Sequence, residues 1–154
     1  MLLLILSGLI TAAYLGLVIA FILGWNKIPE FILKGITAEN TFSIIIPYRN
    51  EAENLPALFK SLSNLNYPNS KFEILLVNDE SEDGSKQIAE SFQTDFLYMN
   101  IRSLENIRKS NSPKKDAIKT GIDESRHHYI VTTDADCVVP AKWLQFFDEC
   151  IQAS

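Results

Sequence analysis

The sequence predicts an α/β fold: an N-terminal transmembrane helix, then an open, mainly parallel Rossmann-like sheet of about four strands with helices on both faces. Three observations predict it. Residues 2–25 are nearly all apolar and carry no charge. Beyond them, short β-branched runs alternate with stretches of helical periodicity. One of those runs, YIVTTDADCVV over 129–139, ends abruptly in two carboxylates, Asp134 and Asp136.

The first block is read from length and charge. No charged side chain precedes Lys27. Helix over residues 2–25 at 1.5 Å per residue spans about 36 Å, enough to cross a hydrocarbon core of about 30 Å. A cleaved signal peptide would want a basic start and a shorter apolar core. The reading is therefore a retained anchor over 1–26, with Trp25 at the interface. Lys27 and Lys34 follow the segment and no basic residue precedes it, which directs the C-terminal part to the cytoplasm. Cys137 and Cys150 are the only cysteines. Without a C-x-x-C spacing they read as buried thiols in a reducing compartment.

Residues 27–40, with Pro29 and Gly35, read as a juxtamembrane linker. The remainder, 41–154, is long enough for one modest core. The net charge of −5 argues against a nucleic-acid surface, which needs a basic patch.

Within that remainder the elements follow in order. Residues 42–46, FSIII, form a strand stopped by Pro47. Asn50 precedes a helix over about 52–64, with acids early and Leu55, Leu58, Phe59 and Leu62 at helical spacing. Residues 72–77, FEILLV, are the second strand, ending in the polar turn 78–85. A short helix over 86–92 carries Ile88, Ala89 and Phe92. Residues 96–99, FLYM, read as the third strand, and 102–113 as loop. Pro113 suits the first turn of a helix whose stripe is Ala117, Ile118, Gly121 and Ile122. The fourth strand, largely buried, leads to Asp134. Pro140 opens a last helix with Trp143, Leu144, Phe147, Cys150 and Ile151 inward.

Alternation of this kind means parallel strands joined by right-handed crossovers. Ligands of such sheets bind just beyond the carboxyl ends of the strands. The loops after strands one, two and four then bring residues 47–51, Asp79 and 134–136 into one crevice. Two unit charges 4 Å apart repel by roughly 4 kcal/mol at an effective dielectric of 20. A divalent cation removes that cost, and oxygen ligands suit Mg²⁺ or Mn²⁺. The plainer reading of an isolated D-x-D is a solvated turn or a helix cap. No glycine fingerprint for dinucleotides and no P-loop is present. An acidic edge can still hold a nucleotide diphosphate through a bridging metal.

Four stretches together resemble family 2 glycosyltransferases of the GT-A fold, in their nucleotide-sugar-binding half. They are FSIIIPYRNEAENL at 42–55, ILLVNDESEDGS at 74–85, PKKDAIKTGI at 113–122 and TTDADCVV at 132–139. The second is similar to V-D-D-x-S-x-D-G-[ST], the third to G-K-x-x-A-[LI]-N-x-G, and the fourth to the family's D-x-D. The resemblance covers roughly 42–150. It implies that Pro47, Tyr48 and Glu51 line the nucleoside pocket and that Asp79 contacts the base. It places Lys114, with Lys115 as the alternative, near the base or ribose. Asp134 approaches the ribose, and Asp136 binds Mn²⁺ or Mg²⁺ with the diphosphate. Asn78 stands where the family has Asp, Pro113 replaces Gly, and Lys119 replaces Asn.

The implied activity is inverting, metal-dependent transfer of a sugar from a nucleotide-sugar donor. The donor is UDP-linked by preference, UDP being the commoner carrier in the family. The acceptor is a glycan or a lipid in cell-envelope polysaccharide synthesis. The family's catalytic base lies downstream of the D-x-D, and the sequence ends 18 residues after Asp136. The expectation is therefore an incomplete domain, with the base beyond Ser154 and donor binding alone within these residues. Two rival readings stand beside it. A haloacid-dehalogenase-type phosphatase shares D-x-D-x-[TV] but carries it on its first strand. A membrane-anchored scaffold would keep the fold without turnover.

Overall fold

The computed structural model describes residues 1–28 and 30–153; Pro29 of the expected linker and Ser154 lie outside them. The chain divides into two compact units, Met1–Ile32 and Leu33–Ser154. The first unit holds helix α1, Leu2–Trp25, with none of its residues buried. By length and composition α1 can cross a membrane. Its N-terminal position fits both an anchor and a signal sequence.

The second unit alternates strand and helix. Its strands are β1 (Phe42–Tyr48), β2 (Phe72–Asn78), β3 (Ile101–Glu105) and β4 (Tyr129–Thr132). Its helices are α2 (Leu55–Ser63), α3 (Ser85–Asp95), α4 (Pro113–Glu124) and α5 (Trp143–Gln152). The 4-stranded sheet has the order β3-β2-β1-β4, and every pairing is parallel. The order reverses between β1 and β4, so the switch point lies there.

Alternating side chains build two cores. Ile44, Ile46, Ile74 and Leu76 meet Leu55, Leu58 and Leu62 of α2, Phe92 of α3 and Leu144 of α5. Phe59 and Phe92 stack there with ring centroids 4.0 Å apart. On the opposite face Ile45, Leu75 and Val77 meet Ala117 of α4. That packing is close: a Cβ added at Gly121 would lie 2.4 Å from Cγ2 of Ile45.

Several elements differ from the sequence reading. β1 runs through Pro47 to Tyr48, paired with Val77 and Asn78. Ile45 accepts from Thr133 on the β4 side, and Pro47, two residues on, points the same way. The β4 ladder ends at Ile45–Thr132, so the missing N–H of Pro47 vacates no rung. The third strand lies at 101–105, not at 96–99. Phe96 instead closes α3, its N–H donating to the Phe92 carbonyl at 3.1 Å. β4 is an edge strand and only half-buried. Ile122, Phe147 and Cys150 are exposed, not inward. The buried positions of α5 are Leu144, Asp148 and Glu149.

Candidate active site

The site is built by three loops at the carboxyl edge of the sheet. Asn50 and Glu80, in the loops after β1 and β2, both have positive φ, 54° and 55°. Asn tolerates that region better than most residues. The two loops are laced together. The Asn50 N–H donates to Ser81 Oγ at 3.1 Å, and Asn50 Oδ1 accepts from the Glu82 N–H at 2.8 Å. The Glu51 N–H donates to Ser85 Oγ at 2.7 Å, and the Ala52 N–H to Asp83 at 3.1 Å. Asp83 also accepts the Ser85 hydroxyl, which holds its carboxyl below the usual range. The polar turn is therefore a brace, and Asp83 is one of its joints.

Asp79 is nearly buried, 6% exposed, and is held by cations. Arg108 donates from Nε to Oδ1 at 2.7 Å and from Nη2 to Oδ2 at 2.9 Å. Asn106 Nδ2 adds a bond to Oδ1 at 2.6 Å, and Arg49 lies 3.8 Å away. The Arg108 hydrogen bonds, helped by Asn106, hold the Asp79 carboxyl below the usual range against its burial. The loop that brings Arg108 is itself fixed. Asp116 of α4 accepts the N–H groups of Lys109 and Ser110 at 2.9 and 2.7 Å.

On the other side of the crevice, Lys114 Nζ lies 2.7 Å from Asp134 Oδ1, both side chains being largely exposed. Asp136 is exposed beside it, with the Cys137 thiol 3.7 Å from its Oδ1. Cys137 and Cys150 are exposed, which corrects the expectation of buried thiols. Tyr48 is buried, and burial pushes its phenol well above the ordinary range.

One cavity of about 250 Å³ joins these groups. Pro47, Tyr48, Glu51, Asp79, Lys114, Asp134 and Asp136 all line it. Its lining also includes Arg49, Ala117 and Ala135, none of which the sequence reading placed in the site; Ala117 was read there only as part of an apolar helix stripe. Arg49 lay inside a quoted motif. Arg108 lay in a stretch read as plain loop, with no periodicity to mark it. Asn78, where the family has Asp, donates from Nδ2 to Glu105 at 2.9 Å. A carboxylate at 78 could not make that bond.

The donor set decides what ion the crevice suits. Among the described residues no three His, Cys, Asp or Glu side chains gather to hold a metal by themselves. Asp134 and Asp136 offer hard oxygen atoms, which suit Mg²⁺ or Mn²⁺ when phosphate and water complete the shell. The residues fit such an ion in company with a diphosphate.

A parallel α/β sheet with an acidic, cation-braced crevice at its switch point defines a Rossmann-like nucleotide-binding unit. Residues 43–147 match Glycosyl transferase family 2, and the chain belongs to that family. It is 37% identical over 103 residues to Glycosyltransferase AglE of Haloferax volcanii, covering 67% of this chain and 33% of that protein. It is 31% identical over 113 residues to the Cholesterol galactosyltransferase of Borreliella burgdorferi, covering 73% and 30%. The chain thus spans about a third of the length of these curated relatives. Mannosyltransferase PcManGT of Pyrobaculum calidifontis, solved with GDP-Man and Mn²⁺, superposes with a TM-score of 0.71 at 24% identity, over 87% of this chain and 41% of that one. S. aureus TarS 1-349, solved with UDP-GlcNAc, gives 0.64 at 23% identity, over 73% and 31%. At these identities the structures establish a shared GT-A fold. Family membership leaves the phosphatase reading without support.

Proposed function

We propose that the crevice holds the nucleoside diphosphate of a nucleotide-sugar donor, and that the chain serves metal-dependent, inverting sugar transfer. One observation carries this reading. The acids and the lysine named by the family motifs, drawn from the loops after β1, β2 and β4 and from the first turn of α4, line a single cavity at the switch point. Asp79 accepts a hydrogen bond from the base while Arg108 and Asn106 keep it ionised and oriented. Pro47, Tyr48 and Glu51 form the wall against the nucleoside. Asp134 approaches the ribose, and Lys114, its present partner, lies within reach of the same donor. Asp136, with the diphosphate, holds Mn²⁺ or Mg²⁺, which neutralises charge on the departing phosphate. The preferred base is uracil, and the acceptor a glycan or lipid of the cell envelope.

The proposed location is a membrane, anchored by α1, with the sheet domain in the cytoplasm. Support comes from the charge-free helix of 24 residues and the lysines that follow it. The experiment on the donor is a competition titration of the full chain with UDP and GDP in Mn²⁺. Displacement of a fluorescent UDP probe by UDP at lower concentration than GDP supports the uracil assignment. The reverse order overturns it and leaves the family intact.

A further inference from the structure

Two carboxylates at the far end of α5 lie outside the donor crevice and are almost completely buried. Asp148 is 1% exposed and Glu149 2%. Their partners are neutral donors, mainly backbone N–H groups of residues 34–40, with Gln145 Nε2 also donating to Glu149 Oε1 at 3.3 Å. Glu149 accepts the Lys34 N–H on Oε2 at 2.6 Å and the Gly35 N–H on Oε1 at 2.9 Å. Gly35 has φ +68°, the left-handed region that lets successive N–H groups converge on one anion. Asp148 accepts the Glu39 N–H at 3.0 Å, the Asn40 N–H at 3.1 Å and Asn40 Nδ2 at 2.7 Å. Carbonyls of the same segment accept from Gln152 at 3.1 Å, Tyr67 at 2.8 Å and Lys71 at 2.9 Å. Burial alone would raise both carboxyls, and these donors outweigh it, so both titrate below the usual range.

The consequence runs to the donor crevice. Of the ten residues of α5 only Leu144, Asp148 and Glu149 are buried. Two of those three hold the strap, so α5 is seated on residues 34–40 as much as on the apolar core. The segment between Asp136 and α5 is short, and the Trp143 N–H donates to the Pro140 carbonyl at 3.0 Å. Between them the Val139 N–H donates to Ser61 Oγ at 3.1 Å and the Ala141 carbonyl accepts from the Asn66 N–H at 2.7 Å, so α5 is joined to the D-x-D turn by a braced segment, not a slack one. We infer that Asp148 and Glu149 are positioning residues: by clamping the strap 34–40 they fix α5, and through it they fix the Asp134–Asp136 turn that receives the donor. This inference rests on the donor reading above.

The test compares wild type, Glu149→Ala, Glu149→Gln and Asp148→Asn in the full chain in detergent. Amide exchange and Mn²⁺-dependent UDP affinity are read well below each protein's melting temperature. The inference expects faster exchange at residues 34–40 and 134–139 in Glu149→Ala. It also expects UDP binding weakened about tenfold, with partial recovery in Glu149→Gln, whose amide oxygen can still accept. A structural role alone lowers the melting temperature but leaves affinity and the exchange of 134–139 unchanged, and that result overturns the inference. If wild type binds no UDP, the donor reading fails. Exchange at 134–139 then decides the clamp alone: faster exchange in Glu149→Ala upholds it, and unchanged exchange overturns it.

Discussion

The guanidinium of Arg108 grips the carboxylate of Asp79 in a two-pronged hydrogen bond, 2.7 Å from Nε to Oδ1 and 2.9 Å from Nη2 to Oδ2. The two residues stand in different loops, after β3 and after β2. The pair aims Asp79 at the cavity and docks the loop over 106–112. Replacing Arg108 with Ala is expected to weaken UDP binding roughly tenfold, since bonds to a charged partner are among the stronger ones. Arg108→Lys recovers little, because one ammonium cannot reproduce the planar fork. Calorimetric titration with UDP checks both. The sign of the pH effect follows from the lowered Asp79 value. The pair's contribution is fully present above the ordinary aspartate range and is lost as pH falls through the depressed one. Amide exchange at 106–112 is therefore expected to stay slow in mild acid and to rise only below the ordinary range.

Lys114 and Asp134 form an exposed pair at 2.7 Å. On the donor reading proposed above, with Lys114 near the base or ribose, bound nucleotide would compete for that ammonium. Lys114→Ala is expected to weaken UDP binding about three- to tenfold and to flatten its dependence on salt, since a screened cation is lost. Titrations at low and high ionic strength measure both effects.

Gly121 is a position where α4 meets the sheet closely. A methyl group there would lie 2.4 Å from Cγ2 of Ile45, a fully buried, β-branched side chain. Overpacking of this kind costs about 1–3 kcal/mol, and the gain in helix propensity from Gly to Ala offsets up to about 1 kcal/mol. Gly121→Ala is expected to lower the melting temperature of the sheet domain while UDP affinity at low temperature holds. Thermal unfolding with and without ligand separates the two.

Much of this fold was legible because its strands are buried and β-branched and its helices amphipathic. β1 and β2 are buried at every position. The misplaced third strand shows the limit. FLYM at 96–99 has strand composition, yet Phe96 packs back on Phe92 at 4.7 Å between centroids and ends a helix. The actual β3, IRSLE, is an edge strand with polar positions that a β-propensity reading passes over. In the site, Asp79, Asp134 and Asp136 were legible because each follows a strand end, and Lys114 only through the family resemblance of its motif. Arg108 was not, because its partner is chosen by the folding of a loop without periodicity. Asp148 and Glu149 carry no local signal either, because the backbone groups they hold are more than 100 positions away.

The central claim is that the crevice binds a nucleoside diphosphate through Asp136 and a divalent ion. The most direct measurement is calorimetric titration of UDP into the full chain, wild type and Asp136→Ala, with Mn²⁺ and with EDTA. The account predicts binding by wild type in Mn²⁺ and its loss in EDTA. It also predicts a loss of roughly 10- to 100-fold in the variant, the scale of losing a group that supports a metal site. Equal affinity across all four conditions, or no binding by wild type in Mn²⁺, would contradict it.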